Sequence, residues 1–181
     1  MPTFVALLRG INVGKAKRLP MAELRALPSG LGYTNVATLL NSGNAVFPAP
    51  GGASAKHATD IAWAISDQLK LEVPVIVKSA RELATVIAEN PIRVEADEHS
   101  RFLVVFVQDT KALLSLTRIG SLVVPPERFV IAKNAAYFLC PTGILQSKAG
   151  EALVDKAGTA VTTRNWSTVL KLRGLASELH A

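Results

Sequence analysis

The chain has a single cysteine, Cys140, among 181 residues. An internal disulfide framework is thereby excluded, and this usage fits a reducing compartment. Long apolar runs are missing too. FLVVFV at 102–107 is among the longest, far short of the ~20 residues that a membrane-spanning helix needs. The opening MPTFVALLRGINV has no basic segment ahead of its short apolar run and no small-residue cleavage site, so it does not read as a signal peptide. A soluble, cytoplasmic protein without a membrane partner is expected. Neither a G-x-G-x-x-G dinucleotide fingerprint nor a G-x-S-x-G nucleophile elbow occurs. His57, His99 and His180 lack metal-ligand spacing to one another or to the cysteine, so neither a metal nor a cofactor is expected. An RNA-recognition module would need stacking aromatics in its central strands; only Phe4 and Phe47 qualify in the first half, and the RNP1 signature is absent.

Against these absences stand a 49% hydrophobic composition, ample for a core, and a formal charge of +6. That surplus favours anionic partners: nucleic acid, a nucleotide or a phosphorylated metabolite.

Hydrophobic spacing sets the order of elements. TFVALL at 3–8 reads as a strand buried on both faces. Pro20 suits a first helical position, and Met21, Leu24, Leu27 and Leu31 recur at helical spacing before Gly32. TNVATLL and NAVF flank NSGN at 41–44, a hairpin turn. Ser54 reads as the N-cap of a helix with the stripe Ala58, Ile61, Ala62, Ile65 and Leu69, and VPVIVK at 73–78 follows as a strand. This β-α-β-β-α-β order is the split βαβ arrangement of ferredoxin-like folds. A helix with capping-box spacing, Ser79 to Glu82, runs to Asn90-Pro91 and leads into the acidic loop VEADEHSR. RFLVVFVQ then begins a second series: a helix from Thr110 with Leu113, Leu114 and Ile119 inward, strands at RFVIA and AYFLC, a helix bearing Leu145, Ala149, Ala152 and Leu153 up to Gly158, a short strand around AVT, and a last helix from Thr163. The expected architecture is α/β (α+β), two ferredoxin-like units in tandem: 1–78, a connection at 79–100, and 101–181 including the C-terminal helix.

In a split βαβ unit the first two strands run parallel, with the third antiparallel between them, so their C-terminal ends share one sheet edge. The loop RGINVGKAKR at 9–18 and the turn at 41–44 leave those two ends. Arg9, Gly10, Asn12, Gly14, Lys15, Lys17, Arg18, Asn41, Ser42, Gly43 and Asn44 therefore compose one candidate anion site. The loop is no P-loop, because only three residues separate Gly10 from Gly14 and Ala16 follows Lys15. It does hold glycines and cations ahead of a helix N-terminus, where free N–H groups favour an anion. TTRNWSTVLKL at 162–172 is the other informative stretch: with Thr163 as N-cap, Arg164 falls in a first turn, where a cation opposes the helix field and calls for an anionic partner. In CPTGILQS at 140–147 a phosphatase loop would place an arginine where Gln146 stands, so Cys140 reads as a buried hydrophobe. The acidic group Glu95, Asp97, Glu98 and His99 reads as a solvated loop.

Together LLRGINVGK, PMAELRAL, LGYTNVATLLNSGNAVF and TTRNWSTVLKL resemble the uncharacterised bacterial family catalogued as domain of unknown function 1697. The resemblance implies ferredoxin-like units and no activity. Arg9, Gly10, Asn12, Gly14, Ser42, Gly43, Asn44, Arg164, Asn165 and Trp166 match its signature words. Three functions follow as expectations: a binding protein for nucleic acid or a nucleotide, an enzyme acting on a small phosphorylated or carboxylated substrate with Arg164 as second anchor, or an oligomer-forming module that pairs with a second copy.

Overall fold

A computed structural model describes residues 1–13, 17–155 and 161–180. The first series comprises β1 (Thr3–Leu8), α1 (Met21–Ala26) with a 3₁₀ turn at Leu27–Leu31, β2 (Ala37–Leu39), β3 (Asn44–Pro48), α2 (Ser54–Leu69), β4 (Val75–Ser79) and α3 (Ala80–Glu89). A 3₁₀ turn at Ala96–Arg101 leads to β5 (Phe102–Val107), a 3₁₀ segment at Thr110–Leu116, α4 (Thr117–Gly120), β6 (Arg128–Ile131) and β7 (Ala136–Leu139). A 3₁₀ turn at Ile144–Gln146, α5 (Lys148–Asp155), β8 (Val161–Asn165) and α6 (Trp166–His180) complete the chain.

The two sheets have the same plan. Their strand orders are β2-β3-β1-β4 and β6-β7-β5-β8, antiparallel throughout, as tandem split βαβ units require. By compactness the chain divides into Met1–Leu83 with Leu172–Ala181, and Ala84–Lys171. Both cuts fall inside helices, α3 and α6.

In the first unit, Phe4, Ala6 and Leu8 of β1 pack with Ala45, Phe47 and Val77 of its neighbours and with Ala58, Ile61, Ala64 and Ile65 of α2. The alternate residues Thr3, Val5 and Leu7 are buried as well, which is why β1 reads as a continuous apolar run rather than an alternating one. The second unit repeats this: Val105, Val107, Ala136, Phe138 and Val161 pack against Leu113, Leu116, Ile119, Ala149 and Leu153, while Phe102, Val104 and Phe106 are buried at the alternate positions.

Several local expectations change. Thr110–Leu116 is 3₁₀ rather than α, so Leu116 turns inward and Leu114 stands 80% exposed. Leu145, expected on a buried helical stripe, lies in the 3₁₀ turn before α5 and is 86% exposed. The end expected at Gly158 lies outside the described residues. β8 extends to Asn165, so Arg164 is a strand residue paired with Val104 and not part of a helical first turn. Asn165, not Thr163, caps α6: its Oδ1 accepts the Thr168 N–H at 2.9 Å. Glu95 and Glu98 form a reciprocal capping box on the 3₁₀ turn, so the acidic run organises its own backbone. No grouping of histidine, cysteine and carboxylates that could hold a metal occurs among the described residues.

Candidate anion-binding edge

The loop after β1 and the turn after β2 do meet. Leu8 N–H donates to the Gly43 carbonyl at 2.8 Å, and Arg9 N–H to the Pro74 carbonyl at 3.0 Å, so both neighbours of β1 hold the point where the loop departs. Gly43 sits at φ +88°, and a Cβ there would lie 2.8 Å from Leu8 Cβ and Ile11 Cδ1. Only glycine combines that dihedral with that approach.

Asn12 is the junction. Its Nδ2 donates to the Leu19 carbonyl at 2.7 Å and to the Asn41 carbonyl at 2.8 Å, while its Oδ1 accepts the Leu19 N–H at 2.9 Å. Its own N–H reaches the Lys17 carbonyl at 2.8 Å. The residue adopts φ +54°, a left-handed conformation that asparagine tolerates better than most. One side chain thus closes the loop on itself and fastens it to the turn, which leaves its amide little to offer a ligand. Asn44 is similarly committed. It is fully buried, with Nδ2 donating to the Leu39 carbonyl at 2.9 Å and to Ser42 Oγ at 3.0 Å. Asn41 and Ser42 remain exposed at the turn.

Charge is placed differently from hydrogen-bonding capacity. Lys17 and Arg18 are exposed, Arg9 is half-buried, and Lys17 Nζ donates to the Glu72 carbonyl, which steadies its stem at the loop's exit. Gly14 and Lys15 lie outside the described residues. The helix after the loop is weaker than the sequence suggests: α1 has six residues and no side-chain cap at Pro20. Attraction for an anion at this edge therefore comes from side-chain charge more than from a helix field. Two apolar residues that charge reasoning overlooked flank the cations, Val13 at 64% and Leu40 at 52% exposure. Leu40 stands at φ +60°, an uncommon conformation for leucine at the head of a turn. Its sequence signal was its place just ahead of NSGN.

Arg164 and Asn165 belong to the second unit. Arg164 is 8% exposed; its guanidinium donates to Thr162 Oγ1 at 2.9 Å and to the Thr163 carbonyl at 2.7 Å. Burial alone pushes its pKa down to about 10. Asn165 is engaged as the α6 cap. Neither side chain is on the exposed basic loop, and both have structural partners within their own segment. Cys140 is 1% exposed, and burial, ahead of the nearby Glu127 carboxylate, pushes its thiol up. A protonated thiol fits a packing role.

A family model described as protein of unknown function (DUF1697) matches residues 1–137. Among solved structures, the conserved bacterial protein SP0830 from Streptococcus pneumoniae is similar in fold, with 20% identity and a TM-score of 0.79 over 97% of this chain and 98% of that one. None of the curated proteins matches.

Proposed function

The chain belongs to the DUF1697 family, which brings no activity with it, and from the geometry of its first sheet edge we propose that it binds nucleic acid through the loop at 9–18 and the turn at 41–44. The observation that carries this reading is the junction at Asn12: it holds a cationic loop beside an exposed turn while committing its own side-chain amide to the backbone. Exposed at this edge are the cations Lys17 and Arg18, the polar Asn41 and Ser42, and the apolar Val13 and Leu40. Diffuse charge suits a repeating phosphate backbone better than a single small anion, and exposed aliphatic side chains can rest on base or sugar faces. Phosphate contacts position without specifying, so selectivity for sequence is low.

Fluorescence anisotropy of labelled single- and double-stranded RNA and DNA, at low and at physiological salt, tests this. Binding is expected to weaken steeply with salt. In a Lys17→Glu/Arg18→Glu variant the slope of log K against log salt falls by about 1–2, since each lost phosphate contact removes roughly 0.7–0.9. Absence of binding at low salt, or an unchanged slope in the variant, defeats the proposal.

A further inference from the structure

The second unit contains a cavity of about 320 Å³ where the start of β5 faces the loop after β7. It lies at the lower end of the roughly 300–1,000 Å³ range of small-molecule sites, so it suits a metabolite of modest size. Its lining is mixed. Arg101 supplies the only charge, Ser100, Thr142 and Gln146 are polar, and Leu103, Ile144 and Leu145 are apolar.

The surrounding loop is built tightly. Cys140 N–H donates to the Arg101 carbonyl at 2.9 Å, continuing the β5–β7 ladder by one step, and Gly143 N–H returns to the Cys140 carbonyl at 2.9 Å. Gly143 sits at φ +94°, and a Cβ there would stand 2.9 Å from Arg101 Nη1; a Cβ at Gly150 would strike the Ile144 carbonyl oxygen. Two glycines thus let the loop close over Arg101 on one side and against α5 on the other. Arg101 Nη1 donates to the Pro141 carbonyl at 3.1 Å, which fixes the guanidinium at the cavity, and among the described residues it joins no ion pair. An exposed, oriented guanidinium without a carboxylate partner, beside 86%-exposed Leu145, has the make-up of an anchor for an acid group with an apolar body.

The chemistry narrows the class. With Arg101 as the one cation in the lining, the cavity suits a monocarboxylate better than a dianionic phosphate, and the fork of arginine matches a carboxylate's two oxygens. We infer that this cavity binds a small organic monocarboxylate with a short aliphatic body, its carboxylate on Arg101 and its body against Leu103, Ile144 and Leu145. The site belongs to the second unit alone and is independent of the basic edge of the first.

Titration of the ¹⁵N-labelled full chain with hexanoate, hexan-1-ol and inorganic phosphate, followed by amide chemical shifts, tests the inference. Hexanoate is expected to shift resonances of residues 100–103 and 140–146 saturably. The alcohol, which lacks the charge, should bind at least about tenfold more weakly, the scale of one lost charge-assisted contact, and phosphate, which lacks the apolar body, should also bind more weakly than hexanoate. Arg101→Gln should weaken hexanoate by a similar factor, and Leu145→Ser, at an exposed position that folding does not depend on, by a few-fold. Equal responses to hexanoate and hexan-1-ol, shifts confined to other residues, or unchanged affinity in both variants would overturn it.

Discussion

Asn12→Ala removes one side chain and three hydrogen bonds, and its consequence can be worked term by term. Two of the bonds, both to Leu19, are partly buried and the third, to Asn41, is exposed. At a net of about 0.5–1.5 kcal/mol each, with the exposed bond at the low end, their loss comes to about 1.5–3.5 kcal/mol. Alanine must also hold φ +54°, which adds about 1–2 kcal/mol. Glycine at the same position loses the same bonds without the steric penalty, and its greater unfolded-state freedom returns only about 0.5–1 kcal/mol of that advantage. The order of stability is therefore wild type, then Asn12→Gly, then Asn12→Ala, the last two close together and both about 2 kcal/mol or more below the first. Urea unfolding of the full-length variants, with midpoints read at constant slope, measures this directly. A loss below about 1 kcal/mol for alanine would refute the role of Asn12 as junction. So would an alanine variant of native stability that has lost nucleic-acid binding, because the amide would then be a ligand contact.

Other consequences are open to equally direct tests. Gly43→Ala should lower stability by about 2–4 kcal/mol, since a positive φ and contacts at 2.8 Å with Leu8 and Ile11 add together; a thermal melt within error of wild type would contradict the packing described. His57 is buried with Nδ1 2.6 Å from the Tyr33 hydroxyl and Nε2 without a partner, and burial, outweighing nearby Asp60, holds its pKa below 6.5. The unfolded chain therefore takes up a proton that the native state refuses, so stability is full above about pH 6.5 and declines as pH falls below that value towards the depressed native pKa. Replacing His57 with glutamine should flatten that part of the profile, and a slope that persists in the variant would assign it elsewhere. Asn165→Ala should cost about 1 kcal/mol through loss of the α6 cap, as read by chemical denaturation. The Cys140 thiol should react far more slowly with a disulfide reagent in the native protein than in urea, and fast native reaction would show that it is neither buried nor held protonated.

Where residue type and fold agreed, the sequence was a good guide. Both β-α-β-β-α-β series were visible because TFVALL and FLVVFV are buried on both faces and therefore read as unbroken apolar runs. Proximity of the loop at 9–18 to the turn at 41–44 followed from topology alone, and Asn12 bonded to the Asn41 carbonyl is its physical form. Legibility failed where short-range chemistry had two solutions. TTRN contains a threonine able to cap and an asparagine able to cap; pairing of Val104 with Arg164 carried the strand through to the second. Leu114 and Leu145 fit a 3.6-residue stripe, yet each falls in a 3₁₀ segment, whose three-residue period turns them to solvent. The division of labour at the edge was hidden for a similar reason. Composition shows asparagines and cations side by side, whereas only geometry reveals that Asn12 and Asn44 hold the backbone and leave the surface to charge. Of the cavity at Arg101 only one wall stood out in the sequence, as CPTGILQS, since Arg101 lies 40 residues away across its contact with Pro141.

The matching strand orders of the two sheets give the molecule an internal control. At the corner where the first unit carries Arg9 and Gly10, the second carries Gln108 and Asp109, and Asp109 there accepts the Lys111 N–H at 2.9 Å as an ordinary cap. Two equivalent corners, one basic and one capped by an acid, thus exist in a single polypeptide at identical concentration, temperature and salt. Crosslinks from a bound oligonucleotide that gather at residues 9–18 and spare 108–112 would identify the loop as the cause of binding; an even spread over both corners would mean that the shared frame, and not the loop, attracts the polyanion.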